Sequence, residues 1–402
     1  MKRNDGRVRT SHGGNLPLPP DLNKLVNDAE RDEAAIAARL PSAVQEVVDQ
    51  QIAAGIDVVN DGEYVKAGAA GAYAGYIHAR VTGWEVREPG SVPPKRGGVA
   101  ERDRALFPGV YASGLWLSGS GGPVRPGFAT PGKTPAPPRP RVCVEPVRYV
   151  GHEAIAADID ALQHALKARP DAEDVEGFIA ALGPLSLGAG AINEYYPSEE
   201  EYLMAVAEVV REEYRAITDA GLVVQIDEPE FLTTWSFYPE WSLSDLRRYL
   251  GMAVEVINHA VEGLPTELVR FHCCWGSGHR PHVTDIELKH VVDLLLKIDA
   301  QTYAFEAGNV RHAHEWRVWA DVKLPDGKQV MPGVISHATD LVEHPELVAE
   351  RIMNFASVLG KENVQAGTDC GIGSRVGHEE IVWAKLRALG EGARIASERL
   401  WG

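Results

Sequence analysis

Two segments far apart in the chain are built to one plan. The first runs Ala43-Val44-Gln45-Glu46-Val47-Val48, reaches Ala54-Gly55, and continues Ile56-Asp57-Val58-Val59-Asn60-Asp61-Gly62-Glu63. The second runs Val209-Val210-Arg211-Glu212-Glu213, reaches Ala220-Gly221, and continues Leu222-Val223-Val224-Gln225-Ile226-Asp227-Glu228-Pro229. Each reads as an amphipathic helix, a glycine stop, a short apolar strand and an acidic turn. Ser198 followed by Glu201 is a capping-box pattern that starts the second helix. Short apolar strands that follow helices pair in parallel and are covered on both faces. That plan excludes an all-helical or an all-antiparallel chain.

Further candidate strands are Leu268–Cys274, Thr302–Glu306, Val330–Ser336 and Val364–Asp369, with weaker ones at Arg7–Ser11, Ile56–Asn60 and Pro184–Gly188. With Leu222–Asp227 the set numbers eight. Their spacing, with a polar residue at each strand end, fits an α/β chain folded as a single (β/α)8 TIM barrel over residues 1–402. A doubly wound sheet is the alternative. Between the second and third candidate strands, Ser118 to Pro140 holds 12 Gly or Pro in 23 residues, which excludes helix and central strand. Residues 85–150 therefore read as an inserted loop and hairpin region, with Val142–Val150 as one hairpin arm. On a barrel this insertion emerges at the catalytic face, either as a surface loop or as a cover.

Charge and cysteine content narrow the function. Forty Lys+Arg against 57 Asp+Glu give a net charge of -17, which repels nucleic acid and anionic membranes. No apolar run reaches the 18 or so residues of a membrane helix, and Met1 to Asn15 has no secretory pattern. Four cysteines in 402 residues are too few for a disulfide framework. The expectation is a cytoplasmic enzyme with reduced thiols.

The strongest chemical signal is Arg270-Phe271-His272-Cys273-Cys274-Trp275-Gly276. Side chains alternate along a strand, so His272 and Cys274 share a face and Cys273 takes the other. A His and a Cys so placed make half of a zinc site. Cys370 and Glu306 end two other candidate strands. In a closed barrel these ends meet at one mouth, so His272, Cys274, Glu306 and Cys370 form a candidate four-ligand set. Cys143 and Cys273 read as buried apolar residues. A coordinated thiol is deprotonated at neutral pH, which suits an activated thiolate attacking an alkyl carbon. Glu63 and Asp227 face the same mouth as a candidate acidic pair for a substrate ammonium, with helix capping or a solvated turn as the plainer reading. His337 and Asp340 are candidate general acids. The histidines at 279, 282, 312 and 314 read as surface residues.

At these residues the sequence resembles the catalytic C-terminal barrel of the cobalamin-independent methionine synthase family, within the wider group that includes uroporphyrinogen decarboxylase. The resemblance runs from about Thr10 to Trp401. It rests on His272-x-Cys274, Phe305-Glu306-Ala307, Asp369-Cys370-Gly371, Gln225 to Pro229 and Gly62-Glu63. It implies zinc (Zn2+) held by His272, Cys274, Glu306 and Cys370, and an amino-acid thiol held by Glu63 and Asp227. It also implies that the His12-Gly13-Gly14-Asn15-Leu16-Pro17 segment lies near the substrate, with His12 and Asn15 as binding residues. Asn15 stands where the family has a serine beside the substrate carboxylate. Leu185 to Ala189 lacks the family's aromatic, and Ser336-His337 departs from its Asp-containing turn.

The function expected is zinc-dependent methyl or alkyl transfer to a thiol of the homocysteine type. The partners are a small-molecule thiol and an alkyl donor, a methyl-folate among the candidates. Thiol alkylation of the epoxyalkane:coenzyme M transferase type, metal-free decarboxylase or lyase chemistry of the same barrel group, and a structural zinc or thiol-binding protein are the alternatives. The sequence names neither the donor nor the oligomeric state.

Overall fold

The computed structural model describes residues 1–28, 30–66, 75–93, 95–96, 100–112, 139–169, 172–276, 280–373 and 375–402. The Pro/Gly-rich stretch 118–140 lies outside the described residues apart from its last two, as does the histidine at 279.

The two look-alike segments form as their sequences dictate. In the first, the helix Glu33–Ala53 ends at Gly55 (φ +84°) and is followed by β1 (Val58–Val59). The helix Glu199–Asp219 of the second starts where Ser198 Oγ accepts from the Glu201 N–H, and it stops at Gly221 (φ +76°). Left-handed backbone is where glycine costs nothing, which is why both helices turn off at one.

Two further strands, β2 (Val81–Val86) and β3 (Arg141–Tyr149), pair antiparallel, so the hairpin arm expected over 142–150 is present. The remaining strands are β4 (Glu176–Leu182), β5 (Ala191–Asn193), β6 (Val223–Asp227), β7 (Val269–Cys273), β8 (Thr302–Phe305), β9 (Gln329–Ile335) and β10 (Gly367–Thr368). One sheet has the order β1-β4-β6-β7-β8-β9-β10, and every pairing in it is parallel. All residues of β6, β7, β8 and β9 are buried, as strands covered on both faces must be.

The sheet is curled. Thr10 bridges to Ala366 beside β10, while its carbonyl accepts from the Asp57 and Val58 N–H groups at β1, the opposite edge. One residue cannot touch both edges of a flat seven-stranded sheet. The fold is thus an α/β half-barrel of parallel strands, with strand ends gathered at one mouth. The expected strand at Pro184–Gly188 is instead the helix Pro184–Ala189. Pro184 sits at its first turn, where a missing N–H costs nothing. The strand comes earlier, in the Phe-Ile-Ala-Ala-Leu run of β4.

A second sheet, β2-β3-β5, flanks the first. A buried ion cluster ties it down. Arg80, just before β2, pairs with Asp158 and lies 3.1 Å from Glu213. Glu213 also accepts from Tyr149 of β3 at 2.7 Å.

Candidate functional site

The sulfur, nitrogen and oxygen groups singled out in the sequence come together beyond the ends of β7, β8 and β10. His272 and Cys274 are buried, and both interact electrostatically with Cys370. Cys273 is buried, as is Cys143. Glu306 follows β8 and interacts with Cys274 and Cys370.

Electrostatics polarise the two thiols. The interaction with Cys274 holds the Cys370 sulfur well below the ordinary thiol range, against burial and with help from His272. Cys274 is pushed well above that range by the same interaction, then by burial. Burial opposes a charge on His272, but its contacts with Asp227 and Cys370 outweigh burial and raise its pKa. Burial pushes Glu306 up to about 8, reinforced by Asp369. A site that crowds anionic ligands in the dark of the core is one that a cation would relieve.

The surroundings fix each of these side chains. Asp227 Oδ1 lies 2.8 Å from His272 Nδ1 and accepts from Gln225 Nε2 at 2.8 Å. That carboxylate sets the ring so that Nε2 faces the Cys370 loop, 3.4 Å from the Asp369 carbonyl. Glu306 Oε1 accepts from the Trp275 N–H at 2.9 Å, and Oε2 from Asn309 Nδ2 at 2.7 Å. Asp369, fully buried, accepts from the Ala307 and Gly308 N–H groups at 2.8 and 2.6 Å and so ties the β8 turn to the Cys370 loop. Glu228, next to Asp227, accepts from the Leu185 and Ser186 N–H groups at 2.9 Å and caps the helix Pro184–Ala189. Burial raises its pKa to about 8.

Glu63 joins the site from the turn after β1. Its backbone is left-handed (φ +60°), uncommon for a residue with a side chain and held here by the Asp61 side chain, which accepts the Glu63 N–H at 2.9 Å. Burial pushes Glu63 up to about 8. Lys66 opposes this, while Asp227, Asp61 and Cys370 add to it. Glu63 and Asp227 are thus close enough to interact electrostatically.

The segment from His12 to Leu16 packs against the Cys370 loop. A Cβ on Gly13 would lie 2.4 Å from the Cys370 carbonyl carbon, and one on Gly373 would lie 2.3 Å from that of Leu16. His12 commits both ring nitrogens to the scaffold: Nε2 lies 2.7 Å from Gln51 Oε1, and Nδ1 accepts from the Gly14 N–H at 3.2 Å. Burial lowers its pKa to about 4, so the ring is neutral. Asn15 is half-buried, and its Oδ1 is a buried atom without a hydrogen-bond partner among the described residues.

His337 is buried, and among the described residues its Nδ1 has no hydrogen-bond partner, lying 4.0 Å from Asp369 Oδ2. Burial lowers its pKa, with Cys370 and Asp369 opposing. Among the described residues, Glu306, His337 and Asp369 bring ligand atoms within 4.8 Å of one another. This oxygen-rich trio adjoins the sulfur pair and shares Glu306 with it. Among the described residues no three of His272, Cys274, Glu306 and Cys370 bring ligand atoms that close together. Asp340 accepts from the Gly377 N–H at 2.8 Å.

The sequence pattern assigns no role to Asp369, Asn309 and Gln225, and His312 is not at the surface where it is expected. His312 is buried, stacked on Trp275 with ring centres 3.8 Å apart and held between Glu315 (2.9 Å) and Asp285 (3.3 Å). The i,i+3 spacing of His312 and Glu315 was the available signal.

The class so defined is an α/β protein with a curled parallel half-barrel sheet, with two cysteines, a histidine and several carboxyls near its strand ends. The chain belongs to the cobalamin-independent methionine synthase family: residues 141–394 match the catalytic domain of the cobalamin-independent synthases. It is 26% identical over 225 residues to a methionine synthase of Saccharolobus islandicus, covering 55% of this chain and 59% of that protein. A methionine synthase of Sulfurisphaera tokodaii is 25% identical over 225 residues, covering 55% and 57%. The matched stretch thus spans less than two thirds of these relatives. The fold is similar to that of a B12-independent methionine synthase from Shewanella sp. W3-18-1 solved with selenomethionine (TM-score 0.68, 21% identity, 98% of this chain and 99% of that one). It is also similar to a putative vitamin-B12 independent methionine synthase from Listeria monocytogenes (TM-score 0.61, 14% identity, 98% and 99%). Among the described residues no helix is long and apolar enough to cross a membrane.

Proposed function

We propose that the protein transfers a methyl group to a thiol of the homocysteine type at a zinc site made by His272, Cys274, Glu306 and Cys370. The observation that carries this reading is the meeting of Cys370 with both Cys274 and His272, with Glu306 beside the sulfurs. The donor set fits zinc: two sulfurs, one imidazole set by an outer carboxylate, and one carboxylate. Zinc, when bound there, would ionise an incoming thiol at neutral pH.

The chain's own residues do the rest. Asp227 holds the His272 ring. Trp275 and Asn309 hold Glu306, the hard and most exchangeable of the four donors. Glu63 and Asp227 receive the ammonium of the acceptor, and Asn15 lies on the loop beside them. His12 serves as a loop brace, because both its ring nitrogens are engaged. His337, whose pKa burial lowers, takes the proton of the acceptor thiol on Nδ1. The sulfur then forms its bond to the methyl carbon as the carbon–donor bond breaks, and its electron pair stays with the donor. His337 returns the proton to that leaving atom. Asp340 braces the loop that carries His337.

The name shared by the Saccharolobus and Sulfurisphaera relatives supports a homocysteine-type acceptor. An anionic thiol such as coenzyme M would meet two carboxyls at Glu63 and Asp227. We also propose that the arm at Thr10 is the eighth stave that closes a (β/α)8 barrel over residues 1–402, with 85–150 inserted in it.

The test is metal content together with cobalt-substituted absorption spectra during titration with homocysteine and then coenzyme M. About one metal per chain and a thiolate-to-cobalt band that grows with homocysteine alone is the expected result. A protein without metal, or a spectrum indifferent to homocysteine, overturns it.

A further inference from the structure

The helix Glu101–Leu106 belongs to the segment between the two hairpin arms. Arg102 donates to the carbonyls of Trp235, Tyr238 and Trp241, with its guanidinium 3.4 Å over the Trp235 ring. The next residue, Asp103, is a fully buried carboxylate. Its Oδ1 accepts from the Thr284 N–H at 3.0 Å and from Thr284 Oγ at 2.7 Å, and its Oδ2 lies 3.8 Å from Arg280 Nη1.

Thr284 and Arg280 lie on the loop after β7, and that loop leads to the site. Arg280 Nη2 donates to the Trp275 carbonyl at 2.7 Å and lies 3.5 Å from Asp285 Oδ1. Asp285 holds His312, which stacks on the Trp275 ring. The Trp275 N–H is the donor to Glu306 Oε1. Trp275 is thus gripped at its carbonyl and at its ring by groups that Asp103 orders, and its N–H sets one oxygen of Glu306. A clamp needed only for packing would be apolar, since burying a carboxylate costs several kcal/mol unless its geometry is used.

We propose that Asp103 is a positioning residue for Glu306: the segment between the hairpin arms, through Asp103, Thr284 and Arg280, fixes the Trp275 hydrogen bond that aims this carboxylate. The inference rests on the reading of Glu306 as a metal ligand.

The experiment compares the full-length cobalt protein with Asp103→Ala, Glu306→Gln and the double variant, by visible spectrum without thiol and by chelator competition. Asp103→Ala is expected to weaken cobalt about tenfold, the lower end of what outer partners of metal ligands contribute. Its spectrum should move in the direction of the Glu306→Gln spectrum. The double variant should bind no more weakly than Glu306→Gln alone, because the two act through one ligand. Should the alanine variant not fold, Asp103→Asn, which keeps the Thr284 acceptor and removes the charge facing Arg280, takes its place with the same expectation. A wild-type spectrum and affinity in the Asp103 variant overturns the inference, as does a double variant whose losses multiply. Wild-type protein that takes up no cobalt overturns the metal reading itself, and the inference with it.

Discussion

Replacing Gly14 by alanine tests how the mouth is assembled. Gly14 has φ +127°, a conformation that side chains rarely adopt, and a Cβ there would sit 2.1 Å from Glu63 Oε1 and 3.2 Å from its Cδ. A carbon and an oxygen come no nearer than about 3 Å, so the Glu63 carboxyl must retreat by roughly 1 Å. The backbone adds strain of about 1–3 kcal/mol, which lowers the Tm of a chain this size by only a few degrees. The catalytic cost is larger. Misplacing a positioning group by about 1 Å can lower turnover efficiency by about 10²-fold. If Glu63 holds the acceptor's ammonium, most of that appears in the KM for homocysteine. The assay is steady-state methyl transfer with each substrate varied, beside zinc content and a thermal melt, for Gly14→Ala, Glu63→Gln and both together. Zinc content should stay at the wild-type level. The double variant should be no worse than the poorer single one, since both remove one contact. Wild-type KM and kcat in Gly14→Ala, or multiplying losses in the double variant, would refute the reasoning.

Cys370→Ser removes the sulfur that contacts both Cys274 and His272, so zinc content and turnover should fall together; full activity in a metal-free Cys370→Ser protein sinks the zinc assignment. Arg80→Ala leaves Asp158 and Glu213 buried without their cation and should cost about 3–5 kcal/mol in urea unfolding. A loss under about 1 kcal/mol would show the cluster to be dispensable. Stability should also follow pH in a definite sense. Glu63, Glu228 and Glu306 are held near 8 by burial, against 4.5 in an unfolded chain. The unfolded chain loses these protons first, so their contribution is full below pH 4.5 and is lost as pH rises towards 8. His12, held near 4 against 6.5, contributes in the other sense: fully above 6.5, and less as pH falls to 4. Between pH 6.5 and 8 the metal-free protein should therefore weaken with rising pH. Glu228→Gln should remove up to about 1.4 kcal/mol per pH unit of that slope, and an unchanged slope, measured by urea midpoints, would count against it.

The strand–helix grammar was written locally, and it emerged as written. Gly55 and Gly221 stop their helices, and the apolar runs after them become strands, because backbone conformation and burial pattern act over a few neighbours. The alternation of His272, Cys273 and Cys274 was equally local, since pleating alone puts the first and third on one face. Pro184 to Gly188 failed for a local reason as well: its apolar character was legible, but the proline that starts a helix was weighed less than the leucines.

Other features had no local cause. Asp227 sets His272, Glu228 caps a helix two strands away, and Asp369 ties the turn after β8 to the Cys370 loop. Nothing in Asp-Glu-Pro or Asp-Cys-Gly says which carboxyl faces the mouth. That is decided by which backbone N–H groups the neighbouring strands present. The pKa values are tertiary too, because burial is their largest cause at Glu63, Glu228 and Glu306. So is the use of His312 and Asp103, one read as a surface residue and the other not singled out. The sequence by itself determined a parallel α/β chain with its cysteines, histidine and acids at strand ends, because those depend on period and local turns. Only the tertiary structure decided which of them meet and which merely brace, because curling the sheet brings Thr10, β1 and Ala366 together and with them loops that are hundreds of residues apart.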